Sequence, residues 1–304
     1  MEFILSHEHP LQRSPGMWES WPQTVDRVAV RARLIAEFSQ AREHGVVAMV
    51  DVTTMDLGRE PALVQDAAQA AGMRVLHATG IWLDIPMVLA PRWGPPPAGV
   101  DDLAPLFVHD IREGIAGTGI RAEVIKLAST IDLVDESGRL TPRVERIFRA
   151  GAVAAKETGT PITTHTDAQR LTGMSQVAVF EAEGVDPAQV VIGHSTRGEV
   201  PYLLELLERG YALSMDNFAR VEGAALQEYV DRIADLCRRG WSHRIMLGHD
   251  HAAYNGFSFT QPASELSLWC RIPREVAPAL ERAGVAPNDL ENLCHRTART
   301  VFRL

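Results

Sequence analysis

Short, continuous apolar runs alternate with longer amphipathic stretches along most of the chain. The runs at 3–6, 46–52, 74–78, 124–127, 161–164, 190–193, 211–215 and 244–248 are rich in β-branched residues and show no apolar–polar alternation. That pattern predicts parallel strands covered on both faces. Between them, 27–44, 61–71, 142–158, 200–209 and 224–239 carry helical periodicity. These segments run into Gly45, Gly72, Gly159, Gly210 and Gly240, the residue favoured just past a helix C-terminus. Eight such strand-and-helix units predict a single α/β domain spanning residues 1–304, a (β/α)8 TIM barrel. A doubly wound open sheet is the alternative, disfavoured because no GxGxxG follows the first run. The Pro-rich segment 91–97 falls between the third run and its helix, which on a barrel makes it a stiff loop over the mouth. Residues 265–304 read as closing helices.

Composition narrows the class without naming an activity. With 46% hydrophobic and 23% charged residues, the chain is neither fibrous, low-complexity nor disordered. A formal charge of −9 argues against a nucleic-acid or anionic-membrane partner. Cys237, Cys270 and Cys294 form no CxxC pair and no disulfide framework, as in a reducing compartment. No apolar run is long enough to span a bilayer, and no secretory leader opens the sequence, so the expected location is cytoplasmic.

Candidate chemistry sits at the C-terminal ends of the expected strands. The first ends in Ser6-His7-Glu8-His9, where side chains two apart on a strand point the same way and can bind one ion together. His165 ends the fifth strand, His194 the sixth and Asp250 the eighth. In a barrel such strand ends converge whatever their separation in sequence. Four imidazoles and a carboxylate suit a borderline divalent metal such as zinc. Lys126, inside the apolar run Val124-Ile125-Lys126-Leu127-Ala128, is costly to bury charged. It either reaches a carboxylate at the rim or is a neutral amine in chemical use.

These segments resemble the phosphotriesterase family of the amidohydrolase superfamily. Further matches are Val50-Asp51-Val52-Thr53-Thr54 through Asp56-Leu57-Gly58-Arg59, Ala78-Thr79-Gly80-Ile81-Trp82, Thr163-Thr164-His165-Thr166 and Ile192-Gly193-His194-Ser195. The resemblance implies a binuclear site of two divalent metal ions, zinc or alternatively cobalt or manganese. His7, His9 and Asp250 would hold the more buried ion, His165 and His194 the more exposed one, and N6-carboxylated Lys126 would bridge them. It also implies hydrolysis of a phosphotriester by a metal-bridging hydroxide, with Asp250 accepting the proton. A lactonase or carboxylic esterase on the same metals is the alternative. A binding protein without activity would have lost ligands, and none is lost.

For the substrate, Trp82 and Leu83 match positions where the family's organophosphate hydrolases carry an aromatic pair, and Tyr254 and Phe257 would add a wall from the last loop. Trp18 and Trp21 read as packing or loop anchors. The lactonase branch carries a tyrosine after strand three and an arginine after strand seven. Here those places hold Trp82 and Ser214-Met215-Asp216-Asn217, which favours the phosphotriesterase branch. The family's proton relay runs from the metal-bound aspartate through a histidine to an acid. The matching places hold Asn217 and Arg197, which breaks the relay; His251 is the candidate substitute. The expected partner is a small-molecule ester or phosphotriester, and the expected assembly a homodimer.

Overall fold

The structure, a computed structural model, describes residues 1–83, 85 and 103–304. The expected stiff loop at 91–97 lies outside the described residues. Eight parallel strands form the wall: β1 (Phe3–Gln12), β2 (Val46–Asp51), β3 (Arg74–Ile81), β4 (Val124–Ala128), β5 (Ile162–His165), β6 (Val190–Ile192), β7 (Ala212–Met215) and β8 (Ile245–Leu247). They pair in sequence order from β1 to β8. All are buried except at isolated positions, as continuous apolar runs require. The Asp250 N–H donates to the His7 carbonyl at 2.9 Å, joining the end of β8 to β1 and closing the barrel. The two strands approach so closely at Gly248 that a Cβ there would lie 3.0 Å from the His7 nitrogen.

Helices α1 (Arg27–Glu43), α2 (Pro61–Ala70), α3 (Ala104–Arg112), α4 (Pro142–Thr158), α5 (Thr172–Ala182), α6 (Val200–Glu208) and α7 (Gly223–Arg238) follow the strands in turn. The five expected helical segments stand within a residue of their expected ends. The C-terminal residues form the short helices α8 (Ala277–Arg282), α9 (Pro287–Glu291) and α10 (Thr297–Phe302). One apolar layer fills the space between strands and helices, and a smaller cluster, including Ile4, Val50, Leu76, Val191 and Met246, fills the barrel interior. No helix among the described residues is long and apolar enough to cross a membrane. The cysteines are free and buried.

Strand β1 runs well beyond its expected end. After an irregularity between Leu5 and Glu8 it leaves β2 and pairs in parallel with β9 (Ala252–Asn255), which folds back on β10 (Ser258–Phe259). A bulge of this kind re-aims side chains next to a site. Here it carries both His7 and His9 into the barrel mouth.

Candidate metal centre

The C-terminal ends of the strands bring together every residue of the expected ligand set. Lys126, from the middle of β4, reaches inward until its Nζ lies 2.9 Å from His7 Nε2. Gly80 makes room beside it: at φ +115° a Cβ there would meet the Lys126 carbonyl at 2.0 Å. Across the mouth, His194 Nε2 lies 2.7 Å from His165 Nδ1. Asp250 Oδ1 stands 3.8 Å from His7 Nε2 and 3.7 Å from His9 Nε2. Ligand atoms of His7, His9 and Asp250 all lie within 4.8 Å of one another.

Backing contacts fix which ring nitrogen faces the centre. His9 Nδ1 is held by Thr53 Oγ1 at 3.0 Å, and His194 Nδ1 by Asp216 Oδ1 at 2.7 Å. Asp216 Oδ2 accepts from the His194 backbone N–H at 3.0 Å and lies 3.3 Å from His7 Nδ1. The Nε2 atoms of His7, His9 and His194 are thereby turned toward Lys126, Asp250 and His165. A second carboxylate behind two rings is the arrangement that sets tautomer and orientation in metal-binding histidines. His7, His194 and Asp216 could themselves enclose an ion. Asp216 sits on the Nδ1 side of both rings, however, with both oxygens occupied, so we read it as an orienting group. The sequence reading passed over Asp216 as a ligand neighbour, although it too stands just past the end of a strand.

The backbone is as specialised as the side chains. His194, Asn217 and Asp250, each just beyond the end of β6, β7 or β8, adopt left-handed φ values of 54°, 69° and 53°. Non-glycine residues rarely do so, and Asn, Asp and His do so most readily. Each turn aims its side chain across the mouth, and Asn217 Nδ2 donates to Asp250 Oδ2 at 2.9 Å.

Electrostatics describe a centre built for cations. Burial, then the charge of Lys126 and neighbouring imidazoles, holds His7 and His9 well below the usual imidazole range; burial and His194 do the same to His165. Burial also pulls on His194, yet Asp216 and Asp250 raise it above its ordinary value. Burial brings Lys126 down to about 7, against the pull of Asp250 and Asp216. It raises Asp250 to about 6. Imidazoles of which His7, His9 and His165 are held neutral, an amine with an accessible neutral form and an inward carboxylate make a donor set that fits divalent transition metals.

The substrate side agrees less well with the sequence reading. Trp82 lines an open cleft of about 470 Å3 together with His165, Asn217 and Asp250. Its ring meets His165 edge-on with centroids 6.0 Å apart. Asp56, which the sequence reading did not single out, accepts from the N–H groups of Trp82 and Leu83 at 2.9 and 2.8 Å and fixes that turn. Leu83 is half-buried beside the cleft rather than among its lining residues.

Tyr254 is a correction: it is 3% exposed, packed between Trp18 and Phe259, because its segment forms β9 instead of a free loop. Phe257 is another: it stands 57% exposed in the β9–β10 turn, away from the cleft lining. Trp18 is buried packing, as expected, and Trp21 is half exposed. His251 does not meet Asp250; its ring lies against Trp269 at 5.9 Å, and burial lowers it to about 3.

Known proteins are similar to this chain over nearly its full length. The chain is 31% identical over 93% of its residues to an aryldialkylphosphatase of Saccharolobus solfataricus, covering 89% of that protein. It is 35% identical over 98% of its residues to a phosphotriesterase homology protein of Mycobacterium tuberculosis, covering 92% of it. The solved structure of the phosphotriesterase from Mycobacterium tuberculosis superposes with a TM-score of 0.87 at 32% identity, covering 99% of this chain and 94% of that one. The model of the phosphotriesterase family matches residues 2–302. Barrel, relatives and family model agree: this chain belongs to the phosphotriesterase family of hydrolases.

Proposed function

We propose that the chain is a binuclear metal-dependent hydrolase that cleaves phosphotriesters. The observation that carries this reading is the set of imidazole nitrogens turned inward around buried Lys126, those of His7, His9 and His194 backed from behind by Thr53 or Asp216. Two divalent cations, zinc by the donor set with cobalt or manganese as substitutes, supply Lewis acidity at the phosphoryl oxygen and a nucleophile at neutral pH. His7, His9 and Asp250 would hold the more buried ion, and His165 and His194 the more exposed one. Lys126, whose amine has an accessible neutral form, would add an anionic ligand to the centre once carboxylated by carbon dioxide.

The chain's own residues then divide the work. Asp250 accepts the proton of the attacking water at Oδ1, the oxygen facing His7 and His9. Asn217 holds Oδ2 by donating to it and so fixes the rotamer. An amide cannot accept that proton, so no relay passes through Asn217, and Asp250 is relieved by solvent in the open cleft. Trp82 presents an apolar face to the leaving group, steadied by Asp56.

A substrate panel on protein of measured metal content tests the reaction type. We expect diethyl 4-nitrophenyl phosphate to be hydrolysed with a higher kcat/KM than a γ-lactone or 4-nitrophenyl acetate. A metal-replete enzyme that turns over the lactone at least about tenfold better would assign it to the lactonase type instead.

A further inference from the structure

The cleft beside the centre is not the apolar pocket that a neutral triester alone would call for. Two arginines line it: Arg197, in the turn after β6, and Arg220, in the turn after β7. Both side chains are exposed, and among the described residues neither makes an ion pair or a hydrogen bond through its guanidinium. Elsewhere on the surface guanidiniums are commonly spoken for, as in Arg209 with Glu181 and Glu205 or Arg239 with Asp235. Asp250 is the only carboxylate among the cleft's described lining residues. In a chain of net charge −9, a cleft with this balance is locally inverted.

The backbones that carry the two arginines are pinned, although among the described residues their side chains meet no partner. Arg271, 8% exposed, donates to the carbonyls of Phe218, Ala219 and Val221 at 2.9, 3.0 and 2.8 Å, bracketing Arg220. Ala219 N–H donates to the His249 carbonyl at 3.2 Å. Beside Arg197, the Thr196 hydroxyl donates to the Asp216 carbonyl, and the Thr196 carbonyl accepts from Arg232 at 2.5 Å. Planar donors that have no partner among the described residues, carried on fixed turns, suit an oxyanion, which a guanidinium can bind in bidentate fashion.

We infer that the substrate carries an anionic group of carboxylate or sulfonate type, gripped by Arg197 and Arg220 while its ester faces the metal centre. This rests on the reading that the cleft receives the hydrolysed substrate, and it adds a substrate class to that reading. Charge on the substituent remote from the scissile bond then supplies selectivity.

The test is binding of two non-hydrolysable aryl phosphotriester analogues to the metal-loaded full chain by calorimetry. Diethyl 4-carboxybenzylphosphonate and diethyl 4-carbamoylbenzylphosphonate differ only in that charge. We expect the carboxylate to bind about tenfold more tightly, with the preference shrinking at high salt and collapsing in the Arg197→Gln/Arg220→Gln double variant. Equal binding of the two analogues overturns the inference, as does failure of both to bind or a preference that survives the double substitution. Because no bond is broken, the outcome is separable from the reaction type. Equal binding beside intact triester hydrolysis removes the inference alone, whereas a clear preference in a protein inert to triesters removes only the phosphotriesterase reading.

Discussion

Asp216 shows how much of this centre depends on residues that need touch no metal. It is fully buried, and one of its oxygens sets the ring of His194 while the other lies beside His7. Asp216→Asn should keep the fold and weaken metal binding about 10- to 100-fold, measurable by competition with a chromogenic zinc chelator; unchanged affinity would make Asp216 a bystander. The cluster of candidate ligands was legible because histidine at the end of an apolar strand has few other reasons to be there. Asp216 and Asp56 were not, because an orienting acid looks like any turn residue until its partner is placed across the barrel.

His249 supplies a second expectation at this scale. Its Nδ1 lies 2.9 Å from Glu8 Oε1, and its Nε2 accepts from the Ile272 N–H at 3.1 Å, so the folded state holds it neutral. Burial lowers it from 6.5 to about 3. The unfolded chain therefore takes up this proton first as pH falls, and the stability tied to the neutral ring, complete above 6.5, drains away toward pH 3. Denaturant titrations of metal-free protein should show a shallower loss of stability across that window in His249→Gln than in the native chain. An identical slope would show that the ring does not govern acid sensitivity.

At the scale of elements, continuous apolar runs placed the eight strands, and periodicity placed the five named helices almost to the residue. What escaped were elements whose signal is tertiary. Helix α5 is buried on most sides, Gln176 and Thr172 included, so it carries no one-sided apolar stripe to read. The β1 extension and β9 depend on each other across more than two hundred residues, and a run of His, Glu and Pro gives no strand pattern by itself. That same pairing is why Tyr254 went to the core.

Tight packing at strand ends gives a sharper test of the architecture. Gly80 combines positive φ with a close approach to the Lys126 carbonyl. Gly80→Ala should cost about 3 kcal/mol through strain and overpacking, read from the urea midpoint, and should lower metal content as β3 and β4 part. A stable variant with full metal occupancy would contradict so close an approach of β3 to β4.

For the whole molecule, the barrel explains why residues scattered from 7 to 250 make one site: eight strand ends share one rim. The acidic surface and the metal centre are separate features, since the −9 charge is spread over the chain while the centre gathers neutral imidazoles. Ions bound only by the folded chain must stabilise it, by about 2.7 kcal/mol each when free metal stands at a hundred times Kd. Chelation should therefore lower Tm, with recovery on adding zinc, cobalt or manganese. A Tm indifferent to chelation would argue that the site does not hold metal in solution.

The claim on which the rest depends is that Lys126 joins two ions in one centre. Metal per chain, counted by inductively coupled plasma mass spectrometry on native protein and on Lys126→Ala after identical loading and desalting, addresses it directly. The result expected is two ions per native chain and a marked loss in the variant, with both chains folded by circular dichroism. Two ions retained by a folded Lys126→Ala protein, or a single ion in the native one, would contradict it.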